Sequence, residues 1–370
     1  MNANFQWAFG IFTAAMAIVV GVLFHKIPEW TRPDIFFSVT VPPEFRATPE
    51  ARQILRSYRV RVWLAVLVSF AAIFVGTLPS LLFVAIVGEI LLVTGSLAAF
   101  LAARKRVLPH AVAATGVRVA SLAPRPAHLP GGWIAQAGPF AILFATALWL
   151  RAHWSAIPER FPIHWDGYGN ANGWATRSVR GVYGPLILEA ALLAILAVMA
   201  YGILTRSRRV GEDADARGHG GDFMKRMLEA LLILEYAMAL LFAFIGALPI
   251  IGQPGMPLTF AIVTIFMAGV CVVIARLSRA RPAVARSAMH TETAAESFAR
   301  GRTASTVGDG TPDANWKWGV IYYNPQDAAL FVEKRFGIGY TLNFGRPAAW
   351  LLIAMIVVVP LAIATIVTRK

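Results

Sequence analysis

Apolar residues gather in eight long runs along the chain: Trp7 to Phe24, Val62 to Leu78, Leu81 to Ala102, Trp133 to Leu150, Val182 to Leu204, Met227 to Ile251, Leu258 to Ala275 and Ala348 to Val367. Each is close to the roughly 20 residues that an α-helix needs to cross ~30 Å of hydrocarbon. The runs do not alternate apolar and polar positions, as the strands of a membrane barrel do. The pattern predicts an all-α polytopic membrane protein of about eight transmembrane helices. Between Val62 and Ala103 the only charge is Glu89. A single helix over that stretch would be about 63 Å long, twice the hydrocarbon thickness, so the chain must turn, and Leu78-Pro79-Ser80 is the natural corner. Met227 to Ala275 reads in the same way as a hairpin of two spans, broken by Pro249, Gly252, Pro254, Gly255 and Pro257. No Lys or Arg precedes Trp7, so the first run is expected to be a span rather than a secretory signal.

Composition agrees: 57% of the 370 residues are hydrophobic and 15% charged, against roughly 45–50% and about 25% in soluble domains. This excludes a soluble enzyme. The single cysteine, Cys271, allows no disulfide within the chain and is read as a small packing residue. A net charge of +14 would suggest nucleic acid in a soluble protein, but its distribution along the chain explains it as a topology signal. Seven Lys and Arg fall in 25–61, five in 103–132, six in 205–226 and ten in 276–347, against four in 151–181, two after 367 and none before Trp7. The positive-inside rule then puts the four strongly basic connections, 25–61, 103–132, 205–226 and 276–347, in the cytoplasm and both termini outside, in a bacterial cytoplasmic membrane. Membrane lipids are expected partners, and nucleic acid is not.

The cytoplasmic connections carry two folded patterns. In 25–61, Phe37, Val39 and Val41 alternate with Ser38 and Thr40, which predicts a half-buried strand ending at Pro42-Pro43. Thr48 is then a candidate N-cap with Pro49 at the first helical position. Ala51, Ile54, Leu55 and Tyr58 share one face of the helix that follows, and Arg52, Arg56 and Arg59 another. Such a helix would lie in the headgroup plane with its arginines towards anionic lipid. The segment 276–315 is rich in Ser, Thr, Ala and Gly and has little to bury, whereas Trp316 to Phe344 reads as short aromatic strands joined by turns. Neither the Phe36–Val41 strand nor Val320–Phe344 has enough strands to be stable alone, so the two are expected to form one small β-containing cytoplasmic module, a surface open to a cytoplasmic protein partner.

The connection at 153–180 falls outside. Two prolines, Pro158 and Pro162, exclude a regular helix, while Gly167, Gly169 and Asn172-Gly173 call for tight turns. An ordered, irregular loop is expected, with Trp154, Trp165 and Trp174 able to sit half wet at the membrane surface. His164, Trp165, Asp166 and Trp174 form either a recognition surface for an external ligand or a structural plug over the bundle. The segment from about Ala152 to Ala200, with its proline, His164-Trp165, spaced glycines and Gly173-Trp174 before an apolar helix, resembles the domain of unknown function found in immunity and signalling membrane proteins of the SdpI type. About thirty residues from Trp316 resemble a second small domain of unknown function that accompanies the first in some membrane proteins. The resemblance implies a role in protection against toxic peptides, or in relaying their presence. This chain departs from the short immunity proteins in adding spans and cytoplasmic loops.

Carboxylates within the runs, Glu89, Glu189, Glu229 and Glu235, are costly in hydrocarbon unless paired, hydrated or protonated. Glu229 lies near Lys225 and Arg226 and reads as interfacial. The deeper ones have no Lys or Arg within the spans, so a protonated, hydrogen-bonded state is expected. Glu89, Glu189 and Glu235 are candidates for an ion pathway, against the alternative of packing between helices. His153, His164 and Asp166 match no metal-ligand spacing, and the chain has no His-Glu-x-x-His, Gly-x-Ser-x-Gly or phosphate loop. No cofactor, metal or enzymatic activity is expected. The chain divides into 1–61, first span with cytoplasmic strand and amphipathic helix; 62–134, helical hairpin and basic loop; 135–204, external loop and flanking spans; 205–275, second hairpin; 276–346, cytoplasmic loop with β-rich end; and 347–370, last span. The reading is a non-enzymatic immunity or signal-transducing protein with an external recognition loop, and the alternative is an ion-coupled transporter or exporter.

Overall fold

A computed structural model describes residues 3–76, 78, 81–114, 128–165, 171–207, 219–252 and 307–368, with scattered positions between 262 and 277. Its described residues contain seven helices long and apolar enough to cross a membrane. They are α1 (Ala3–Lys26), α2 (Pro49–Gly76), α3 (Leu82–Val107), α4 (Gly132–Ala152), α5 (Val179–Arg206), α6 (His219–Ile251) and α7 (Pro347–Thr368). Of the expected span Leu258 to Ala275, ten residues between 262 and 274 are described, all of them helical, and the others lie outside the described residues. Cys271, expected to pack, is exposed.

The helices form two packed groups. In the first, α2 lies between α1 and α3. The turn between α2 and α3 falls at the expected corner, where Leu78 N–H donates to Val75 O and Leu81 N–H to Leu78 O. Small residues let these two backbones approach: a Cβ on Gly88 would lie 2.6 Å from Ala72 Cβ and 3.1 Å from the Ser69 carbonyl oxygen. In the second group α5 packs against α4, α6 and α7, around Leu143, Leu150, Val182, Leu186, Leu193 and Ala239. All of these are apolar, and the outward faces of the helices carry Leu, Ile, Val and Phe as well, as expected of surfaces that meet lipid.

The described residues also form four short antiparallel hairpins: β1 (Ile35–Phe36) with β2 (Val39–Thr40), β3 (Arg160–Trp165) with β4 (Ala171–Thr176), β5 (Trp316–Lys317) with β6 (Ile321–Tyr322), and β7 (Phe331–Glu333) with β8 (Tyr340–Leu342). All but β3–β4 gather at one end of the bundle. There Phe36, Phe37, Val39 and Val41 pack on Tyr58 of α2 and Phe100 of α3, with Val320 and Phe336 against them. Phe331 packs on Ile203 and Leu204 at the end of α5 and on Met224 and Leu228 of α6. A parallel bridge joins Ser207 to Phe331, and Leu330 N–H donates to Arg206 O at 2.9 Å. The two segments expected to form one module therefore meet.

What joins them is a buried polar network rather than a shared sheet. Arg335, with its side chain 1% exposed, donates from Nε to Asp309 Oδ2 at 2.8 Å and from Nη2 to Asp309 Oδ1 at 2.7 Å. Its Nη1 reaches Asp313 Oδ1 and the Ser38 carbonyl, and its Nη2 reaches Thr311. Asp313 in turn accepts from Thr40 N–H and, at 2.7 Å, from Thr40 Oγ1. Asp34 accepts from Gly308 N–H at 2.6 Å. A second clasp is Asn343, fully buried, whose amide nitrogen donates to the carbonyls of Asn324, Asp327 and Ala329 while its oxygen accepts from Asn324 and Gly345 N–H. Buried polar atoms are expensive unless satisfied, and here each of these is.

Two local expectations are corrected. The strand over Phe37 to Val41 is instead a tight hairpin, because Phe37 (φ 47°) and Ser38 (φ 62°) both take the left-handed backbone of its turn. Residues without a glycine's freedom hold that conformation because Arg104 Nη1 donates to the carbonyls of both Phe37 (3.2 Å) and Ser38 (2.6 Å). The Phe37 ring also packs on Tyr58, Phe36 and Phe100. All residues from Ile35 to Val41 are buried, so the segment is a core element rather than a half-buried strand. Likewise, the helix starting at Pro49 does not lie in the headgroup plane. It runs without interruption into the second span as α2, since no Pro or Gly separates Arg59 from Val62. Thr48 caps it as expected, its Oγ1 accepting from Ala51 N–H at 3.1 Å.

Candidate functional site

At the opposite end of the bundle, the segment between α4 and α5 forms the β3–β4 hairpin, where an irregular loop was expected. Its strands pair Arg160 with Thr176, Phe161 with Ala175, Pro162 with Trp174 and His164 with Gly173. Pro162 is tolerated because a two-stranded ribbon has only edges, so a missing N–H need not break a ladder on both sides. The Asn172-Gly173 pair is not the turn of the hairpin. It lies inside β4, beside a register shift between Pro162 and His164, and a Cβ on Gly173 would come 2.7 Å from His164 Cβ. Glycine is there for close approach.

The base of the hairpin is rigid. Phe161 and Ile157 are buried against α4 and α5. Arg177 N–H donates to Glu159 O at 2.9 Å, and its guanidinium Nη1 to Ile157 O at 3.0 Å. Ser178 caps α5, accepting from Gly181 N–H at 3.1 Å, and Trp154 stacks on Tyr183 with ring centres 6.0 Å apart. The hairpin and α5 are therefore built as one piece.

Its outer surface is chemically mixed. Trp174 is 47% exposed and Ile163 45%, and the Arg160 guanidinium lies 5.0 Å over the Trp174 ring. His164 is exposed, and its Nδ1 pairs with Asn172 Oδ1. An amide oxygen only accepts, so this contact calls for a hydrogen on Nδ1 and turns Nε2 outward as the available ring nitrogen. Of the four residues expected to form the surface, His164 and Trp174 are thus placed on the hairpin. Trp165 is paired through its backbone with Ala171, and Asp166 lies outside the described residues. Sequence reasoning missed Arg160 and Asn172, which complete it.

His153 is held away, its Nδ1 on the Trp149 carbonyl at 2.9 Å. Among the described residues no group of three His, Cys, Asp or Glu is placed to hold a metal.

The intramembrane carboxylates divide between the two helix groups. Glu89 is on α3, half-buried, whereas Glu189 on α5 is fully buried and Glu235 on α6 is 2% exposed. Among the described residues, both oxygens of Glu189, and Oε1 of Glu235 and of Glu89, have no hydrogen-bond partner, so the expected hydrogen-bonded state is not found for Glu189. Gly246 of α6 faces Leu186 of α5, which puts Glu235 about eight residues, or about 12 Å, from the level of Glu189 along the antiparallel pair. The two are stacked in depth rather than side by side.

The chain matches the family model described as Domain of unknown function (DUF1648) over residues 141–188. It matches Family of unknown function (DUF5808) over residues 325–350. The first match covers the end of α4, the β3–β4 hairpin and the start of α5, stopping one residue before Glu189. The second covers β7, β8, the Asn343 clasp and the start of α7. No curated protein and no solved structure matches the chain. The described residues are mostly helical, with seven helices long and apolar enough to cross a membrane, and the chain carries two segments that match domains of unknown function.

Proposed function

We propose that this chain is a non-enzymatic immunity or signal-transducing protein of the bacterial cytoplasmic membrane, which recognises a toxic peptide or another ligand outside the cell through the β3–β4 hairpin. The observation that carries this reading is a hairpin that is firmly anchored yet presents an exposed aromatic ring, a guanidinium and an imidazole edge together. Rigid amphipathic aromatics beside charged donors suit peptide recognition, because little side-chain entropy is lost on binding. The outward orientation rests on the Lys and Arg asymmetry of the connections. Among the described residues, Arg104, Arg206 and Arg335 of the basic connections belong to the module end, opposite the hairpin.

The test combines topology and response. In a Cys271→Ser background, cysteines at Asn172 and at the exposed Ala314 should be labelled by an impermeant thiol reagent from opposite sides, Asn172 in intact cells. His164→Gln and Trp174→Ala should abolish survival of expressing cells challenged with membrane-active peptides, with membrane level and thermal stability unchanged. Labelling of Asn172 only after lysis rejects the reading. So does a parallel loss of survival, level and stability, which would make the hairpin a structural plug.

A second reading, ion-coupled transport, is favoured by Glu189 and Glu235, two buried carboxylates on α5 and α6. Proton or sodium flux into proteoliposomes that disappears in Glu189→Gln and Glu235→Gln would replace immunity by transport.

A further inference from the structure

The first five or so turns of α2 carry one continuous stripe that the recognition hairpin does not use. Arg52, Arg56, Arg59, Trp63 and Leu67 recur at helical spacing and fall within about 80° of one another around the axis. With Leu64 they line an open groove on the outer face of α2. The groove has a polarity gradient. Arg52 and Arg56 are exposed, and among the described residues neither meets a carboxylate. Arg59 is paired with Glu29, and the nearby Glu50 is taken by His110 at 3.1 Å. Next comes Trp63, its indole N–H donating to His25 Nδ1 at 3.1 Å, and then Leu64 and Leu67, both exposed.

We infer that this groove binds one anionic phospholipid, with its phosphate between Arg52 and Arg56 and an acyl chain along Trp63, Leu64 and Leu67. Charge complementarity sets the headgroup. Two unpaired guanidiniums one turn apart can both donate to a phosphate, and a headgroup with no cation of its own gains from the surplus of positive charge. Length sets the occupant. From Arg52 to Leu67 is about 22 Å along the helix, the depth of one leaflet with its headgroups. The indole stands at the changeover from charged to apolar, where interfacial tryptophans sit. A free phosphate would use only the upper half, and an acidic peptide would leave Leu64 and Leu67 uncovered. The inference is independent of what the β3–β4 hairpin recognises.

Native mass spectrometry of the full chain, released from nanodiscs of phosphatidylcholine containing phosphatidylglycerol, tests it. One phosphatidylglycerol per chain is expected to be retained in preference to phosphatidylcholine. Retention should fall about tenfold or more in Arg52→Gln/Arg56→Gln. It should be unchanged in Arg61→Gln, which removes an exposed cation outside the stripe. Glycerophosphoglycerol, the headgroup without acyl chains, should not displace the lipid. Equal retention of the two lipids, undiminished retention in the double variant or displacement by the bare headgroup each overturns the proposal. A dimer that retains no lipid would do the same, since the groove would then be covered by a second copy.

Discussion

Replacing Arg335 by methionine should open the module without unfolding the helices. The side chain is 1% exposed and makes six hydrogen bonds, to Asp309, Asp313, Thr311 and Ser38. Methionine is close in length and unbranched, so the principal loss is electrostatic. Asp309 would stay buried with Thr311 as its remaining donor, and Asp313 would keep Thr40. Breaking a buried pair by removing one partner costs about 3–5 kcal/mol. At ~3 kcal/mol, opening becomes more than a hundredfold more frequent. Hydrogen exchange followed by mass spectrometry in nanodiscs reads this directly as faster exchange of peptides from 307–342 and 34–41, with those of α4 to α6 unchanged. Because the desolvation penalty falls on the orphaned carboxylate, Arg335→Met/Asp309→Leu should recover much of the protection. Exchange in Arg335→Met within threefold of the unmodified chain would refute the claim that this network holds the module together.

Two further outcomes follow from the same packing. Burial alone would raise the Asp309 carboxyl, but the hydrogen bonds and charge of Arg335, with Thr311, outweigh it and hold the group below its ordinary range. A depressed carboxyl contributes stability above its unfolded value, near 4, and loses it as pH falls through the lower folded value; exchange corrected for intrinsic rates should therefore rise below about pH 4, and Asp309→Asn should flatten that dependence. In α5, a Cβ on Gly202 would lie 2.6 Å from Phe331 Cε2, so Gly202→Val should cost about 1–3 kcal/mol and accelerate exchange in β7 while leaving the β3–β4 hairpin as protected as before; equal exchange in β7 would show that Phe331 is free to move aside.

The helices were legible because burial in lipid demands long apolar runs, and the corner at Leu78-Pro79-Ser80 because no bilayer accommodates 42 helical residues. Thr48 was legible as a cap because capping is local in sequence. What escaped was long-range or contrary to local preference. Arg335 meets Ser38 across 297 positions, a pairing that no window along the chain exposes. Phe37 and Ser38 carry none of the Gly or Asn that announces a left-handed turn, since the turn is held by Arg104 from another helix. In the candidate site, Pro162 argued against a strand and Asn172-Gly173 for a turn. Both signals were overridden by a two-stranded ribbon in which the proline costs little and the glycine makes room for His164. Asn172 joined the site only once the register was known.

The helix α5 begins at the Ser178 cap, with Gly181 close under the Thr176 carbonyl of the hairpin, and ends where Arg206 and Ser207 bond to the β7 segment. Its 28 residues make a shaft about 42 Å long, keyed at both ends into small structured caps. The two matched segments, separate in sequence, are thus mounted on one axle. A twist or axial slide imposed at the hairpin cannot be absorbed at its own junction, and must be taken up either by bending within the shaft, for which Pro185 is the weakest point, or by strain on the Leu330 and Phe331 seat at the far side of the bundle.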